Sequence, residues 1–172
     1  MSRLFLVGFM GAGKSSIGVV VADRLGHGFA DLDAHIEERL GMTISEVFSR
    51  RGEAAFRAAE LASLEWSSRL EDVVVATGGG AFCSPDGRRI MRARGGRTVF
   101  LDLPWAAIVE RIAATSGDRP KFASVDQARA LYDERRPQYQ QATLTVVLDG
   151  SESPDQAAEM VLQAVAGVAC GT

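Results

Sequence analysis

Along this chain, short unbroken apolar runs alternate with longer stretches whose apolar positions recur at helical spacing. "LFLVG" runs into a glycine loop, and in the "KSSIGVVVADRLG" that follows, Ile17, Val20, Val21 and Leu25 share one helical face. This reads as strand, loop, helix. "HGFADLD" is a second short strand, and "AHIEERLG" a helix opening near Ala34, with Ile36 and Leu40 on one face and Gly41 at its end. Thr43 and Glu46 make the T-x-x-E capping pattern that opens a long helix, carried to about Leu70. "VVVAT" is the β-branched run of a strand buried on both faces. After it come a helix over about Pro85 to Arg94, the strand "TVFLDL", a helix from near Pro104, and the polar stretch "ATSGDRPKFAS". A helix ending near Arg136, the strand "LTVVLD" and a closing helix capped by Ser153-Pro154-Asp155-Gln156 complete the order. Strand–helix alternation of this kind predicts an α/β fold: a parallel five-stranded sheet with helices on both faces.

Composition narrows the class. With 172 residues, 47% hydrophobic and 24% charged, the chain is long enough for one domain with a substantial core, and no linker or repeat divides 1–172. A formal charge of −3 argues against nucleic acid or an anionic membrane as main partner. No apolar run approaches the ~20 residues that span a bilayer, and "MSRLFLVG" turns into a glycine loop too early for a signal peptide, so a cytoplasmic protein is expected. Cys83 and Cys170 form no disulfide framework, and with the two histidines no zinc spacing.

Candidate chemistry begins at "VGFMGAGKSS". Gly8, Gly13, Lys14 and Ser15 satisfy G-x-x-x-x-G-K-[ST] between a strand and a helix, where a phosphate-binding loop belongs. Backbone N–H groups from Gly11, Ala12, Gly13, Lys14, Ser15 and Ser16 are placed to curl around phosphate oxygens at a helix N-terminus. Lys14 is expected to reach the β- and γ-phosphates and the Ser15 hydroxyl to bind Mg²⁺. Asp31 and Asp33, two apart on an extended segment, point to one side of the sheet edge, where a cation or a proton-transfer role offsets their repulsion. Asp31 would then lie beside Mg²⁺ and Asp33 reach an acceptor hydroxyl; alternatively one aspartate merely caps the following helix.

Arg57 and Glu60 share a helical face, as an ion pair on the surface or as a guanidinium held for use. Gly78, Gly79 and Gly80 follow the "VVVAT" strand at its carboxyl end, where open α/β sheets bind ligands and where glycine lets backbone approach a ligand. Arg135 in "DERRPQY" supplies a second guanidinium fork suited to a carboxylate.

The ordered set "GFMGAGKSS", "DLD", "GEAAFRAAE", "TGGGA", "DRP" and "RRPQY" resembles the shikimate kinase family over nearly the whole chain. The resemblance implies a phosphate-loop fold of the nucleoside-monophosphate-kinase group with sheet order 2-3-1-4-5. It implies MgATP and shikimate as ligands, transfer to the shikimate 3-hydroxyl on the way to chorismate, and a monomer. By position, Asp33 contacts the accepting hydroxyl, and Arg57 and Arg135 clamp the carboxylate beside Gly78, Gly79 and Gly80, with the acceptor region over about 33–62. Asp31 and Ser15 serve the metal, Lys14 the phosphates, Arg119 the charge on the transferred group, and Arg111 the adenine. The lid expected over about 115–124 departs from the family in Lys121-Phe122, where leucines are usual. A kinase for gluconate or another hydroxy acid, a nucleoside-monophosphate kinase, or a nucleotide-binding module without turnover are the competing readings.

Other residues carry less. Arginines 88, 89, 92, 94 and 97 read as a solvated basic face, His27 as turn chemistry, His35 as a helix-opening residue beside an aspartate that already fills the base role, and Cys83 as a half-buried thiol.

Overall fold

A computed structural model describes residues 3–114 and 124–169. Five parallel strands form the sheet, β1 (Arg3–Val7), β2 (Gly28–Asp31), β3 (Val73–Ala76), β4 (Arg97–Asp102) and β5 (Leu144–Val147), in the order β2-β3-β1-β4-β5. The expected strand order is observed. Every residue of β1 and β3 is buried, and since neighbours along a strand face opposite ways, both faces of the sheet centre are covered.

The covering helices are α1 (Lys14–Leu25), α2 (Leu32–Leu40), α3 (Ile44–Ser67), α4 (Pro85–Arg92), α5 (Trp105–Ala114), α6 (Val125–Tyr139) and α7 (Pro154–Ala169). Ile17 and Val21 of α1, Leu64 of α3, Met91 of α4 and Val161 of α7 join the strands in one main core. A second, smaller cluster of Ile36, Val47 and Phe56 lies between α2 and α3, edged by Leu40, Ile44 and Phe48.

Several boundaries differ from the sequence reading, among them the end of α4, at Arg92 and not Arg94. Helix α2 begins at Leu32, because Asp31 caps it by accepting from the N–H groups of Asp33 (3.0 Å) and Ala34 (3.2 Å). Asp33 therefore sits in a first helical turn and not on an extended strand. The capping box of Thr43 and Glu46 forms as expected, but α3 ends at Ser67 and is interrupted at Gly52, whose φ of 79° leaves the helical region. Helix α6 continues through Pro137 to Tyr139. The basic run is not simply a solvated face: Arg88 donates to the Phe82 and Cys83 carbonyls (2.9 and 3.1 Å) and Arg97 to the Val165 carbonyl (3.4 Å). Arg89, Arg92 and Arg94 are exposed.

Candidate active site

The phosphate loop is held open by glycine geometry. Gly8 adopts φ 145°, and a Cβ there would meet the Leu101 carbonyl oxygen at 2.9 Å; Gly11 and Gly13 take φ 76° and 87°. Gly13 caps α1 from the left-handed region, so the loop turns directly into the helix N-terminus. Ala12 is buried, and its N–H closes a turn onto the Phe9 carbonyl (3.2 Å), which makes it a shaping residue of the loop. Lys14 Nζ donates to the carbonyls of Gly8 and Phe9, both at 2.9 Å, so the ammonium lies across the loop's mouth.

Asp31 does two things at once. While Oδ1 caps α2, Oδ2 accepts from the Ser15 hydroxyl at 2.5 Å. The capping reading of this aspartate is observed, and its other oxygen is turned toward Ser15. Ser15 and Asp31 bring hard oxygen donors from α1 and β2 to one point beside the phosphate loop, a donor set that suits Mg²⁺. Among the described residues no cluster of three or more His, Cys, Asp or Glu could hold a metal.

A cavity of about 970 Å³ opens over this loop. Gly11, Gly13, Lys14, Ser15 and Ser16 line it together with Asp31, Asp33 and Arg111. Arg111 donates to the carbonyls of Gly11 and Gly150, each at 3.3 Å, bridging the phosphate loop to the turn before α7. That turn supplies Leu148, Glu152 and Pro154 to the wall, so the reading of Pro154 as a helix-opening residue is incomplete. Thr43 to Glu46 and Phe48 also line the wall; the T-x-x-E pattern marks the first four only as a helix start, and the amphipathic helix pattern does not single out Phe48.

Gly79 also lines the cavity, and the groups expected from the sequence to bind an acceptor gather around its turn. A Cβ on Gly78 would fall 3.0 Å from Asp33 Oδ1 and 2.8 Å from Glu60 Oε1; on Gly80 it would fall 2.4 Å from Arg57 Nη1; on Gly79, 3.7 Å from Arg135 Nη1. None of the three has positive φ. At Gly78 and Gly80 side chains from α2 and α3 occupy the space where Cβ atoms would be, which adds a reason to the expected close approach of ligand, whereas at Gly79 the nearest neighbour, Arg135, stands at ordinary contact distance. Arg57, Gly78, Gly80 and Arg135 stand outside the cavity wall proper and around this adjoining turn.

Arg57 is held on both sides, by Glu60 (2.8 Å) and Glu53 (3.2 Å). Burial works against its charge, but these two carboxylates outweigh it and raise the guanidinium above its ordinary range. Burial pushes the Cys83 thiol up, although Arg135, Arg88 and Arg57 pull the other way. The Tyr139 hydroxyl donates to the Gly79 carbonyl, a contact for which "RRPQY" offers no signal beyond the tyrosine itself. His35 is no part of the site: its ring stacks on Trp66 at 3.8 Å and Nδ1 meets Ser63 Oγ at 3.0 Å. Arg119 and the expected lid, including Lys121 and Phe122, lie outside the described residues, apart from Ser124, which caps α6.

A phosphate loop feeding α1, an oxygen pair beside it and an adjoining glycine turn ringed by charged side chains define a small-molecule kinase of the phosphate-loop class. The chain belongs to the shikimate kinase family, whose model matches residues 10–166. It is 41% identical to the shikimate kinase of Synechococcus sp. (strain CC9605) over 93% of this chain and 80% of that one. It is 35% identical to that of Aquifex aeolicus (strain VF5) over 98% and 99%. The shikimate kinase of Acinetobacter baumannii, solved in complex with shikimate, superposes with a TM-score of 0.92 at 31% identity, covering 99% of this chain and 96% of that one. A gluconokinase from Sinorhizobium meliloti, at 19% identity and TM-score 0.62, shares the fold.

Proposed function

We propose that this chain transfers the γ-phosphoryl group of ATP to the 3-hydroxyl of shikimate, giving shikimate 3-phosphate and ADP on the route to chorismate and the aromatic amino acids. The observation that carries the reading is the convergence of Asp33, Arg57 and Arg135 on one glycine turn beside the phosphate loop. A carboxylated polyol matches that set: two guanidinium forks for the carboxylate and one carboxylate for a hydroxyl.

The chemistry asks the protein mainly for positioning and charge. Loop amides and Lys14 bind the phosphates, and Arg111 with the Leu148–Pro154 turn borders the adenine. Ser15 and Asp31 would hold Mg²⁺, which when bound neutralises charge on the phosphates. Arg57 and Arg135 orient shikimate so that its 3-hydroxyl faces the γ-phosphorus. As that oxygen bonds to phosphorus and the bond to ADP breaks, the hydroxyl proton passes to the Asp33 carboxylate. Arg119 is assigned to the transferred group by its place in "DRP". We take the protein, on its family resemblance, to be a monomer acting in the cytoplasm.

The test is ADP release from MgATP with shikimate, gluconate, quinate, AMP or no acceptor, the product weighed by mass spectrometry. Turnover should require shikimate and add one phosphoryl group. Asp33→Asn should lower kcat by roughly 10²- to 10⁴-fold while ATP binding is kept. Turnover with gluconate alone would redraw the clamp, and transfer to no acceptor at all would favour a nucleotide-binding module.

A further inference from the structure

Helix α6 carries Arg135, yet the contacts that fix the helix come from its neighbours in sequence. Arg136 makes a two-pronged ion pair with Asp102 at the end of β4, Nε to Oδ1 at 3.0 Å and Nη2 to Oδ2 at 2.6 Å. One turn earlier, the Tyr132 hydroxyl donates to the Leu103 carbonyl at 2.9 Å. At the last residue of the helix, Tyr139 is 1% exposed, packs its ring on Phe100 and donates its hydroxyl to the carbonyl of Gly79. Tyr139 and Arg135 are four apart, on one helical face.

We propose that Tyr139, with Arg136 as the counterpart tie, is a positioning residue for the acceptor's carboxylate, acting through Arg135 and Gly79. One phenol joins the helix that bears a guanidinium to the turn that guanidinium must face. Arg135 Nη1 lies 3.7 Å from where a Gly79 Cβ would stand, so a rotation of the Gly79 peptide or a shift of α6 moves the two apart. Burial holds the Tyr139 phenol above its ordinary range, with Cys83 and Arg135 as its polar neighbours, so it remains a donor at neutral pH. A helix end without such a tie frays.

The inference rests on the reading that Arg135 binds a carboxylate, and the test separates the two. Tyr139→Phe keeps the ring against Phe100 and removes only the donor. Its kcat/KM is compared with that of the parent on shikimate and on shikimate carboxamide, which is uncharged and nearly the same shape. The parent should prefer shikimate by on the order of a hundredfold. Tyr139→Phe should lose about tenfold on shikimate, mainly in KM for the acceptor, and threefold or less on the carboxamide, with KM for ATP unchanged. Arg136→Lys, which breaks the fork to Asp102 without touching the phenol, should show the same carboxylate-selective loss and carries the test if Tyr139→Phe does not fold. Equal losses on both acceptors, or a loss shared with ATP, would mean general structural support and overturn the proposal. A parent enzyme indifferent to the carboxylate would instead overturn the clamp itself, and this inference with it.

Discussion

Glycines at two points of the site are there for different physical reasons, and substitution should separate them. At Gly80 the backbone is unstrained, and an added Cβ meets only the flexible end of Arg57, at 2.4 Å. Gly80→Ala should therefore fold almost normally but displace the guanidinium from the position Glu60 and Glu53 give it. We expect KM for shikimate to rise about tenfold, with KM for ATP unchanged and the melting temperature within a few degrees, as steady-state kinetics and calorimetry would record. At Gly8, φ of 145° and a backbone oxygen 2.9 Å away leave a side chain no room to yield. Gly8→Ala should damage nucleotide binding first, raising KM for ATP or abolishing the soluble fold. If Gly80→Ala weakened both substrates alike, the role given to the glycine triplet would be wrong.

At the scale of elements, the pairing of α2 with α3 makes stability depend on pH. His35 of α2 stacks on Trp66 of α3 and meets Ser63; burial, then Arg39, lower its pKa below 6.5, against a smaller opposing effect of Glu38. The folded state thus favours neutral imidazole, and the unfolded chain binds the extra proton. Stability from this pair is complete above 6.5 and is lost as pH falls through the lowered folded value. The melting temperature should drop more for the parent than for His35→Gln between about pH 8 and about pH 5, and parallel curves would remove His35 from the account. The helices themselves were only partly legible in sequence. The T-x-x-E box marked the start of α3, since capping is local chemistry, but Gly52 sits alone in "SRRGEAAF", where a single glycine is tolerated in a helix and gives no notice of a break. Pro137 suggested an earlier stop for α6 than Tyr139, because the fork from Arg136 to Asp102, 34 residues away, leaves no trace in the local pattern. The shape of the phosphate loop was largely legible for the opposite reason, being one contiguous segment, although the N–H of Ala12 closes the turn onto Phe9. The reason for glycine at 78 and 80 was not, because the side chains that fill their space come from α2 and α3.

Across the whole molecule, the site joins two apolar bodies of unequal size. The main core runs under the whole sheet, while Ile36, Val47 and Phe56 form a separate small cluster between α2 and α3. A cluster of that size buries little surface, so α2 and α3 should open locally at a lower free energy than the sheet unfolds. Asp33 and Arg57 stand on these helices, whereas Gly79 and Arg135 belong to the body built on the main core. In the proposed site a bound acceptor spans the two, and opening of α2 and α3 would break its contacts. By linkage, shikimate at a hundred times its dissociation constant should slow amide exchange over residues 33–62 by about a hundredfold, wherever exchange proceeds through that opening. ATP alone touches the loop and α1 and should protect residues 8–17 first, leaving most of 33–62 little changed. Exchange measured by mass spectrometry with each ligand in turn distinguishes these patterns. Protection spread evenly over the chain with shikimate would show that α2 and α3 do not open separately, and that acceptor binding stabilises the molecule only as a single cooperative unit.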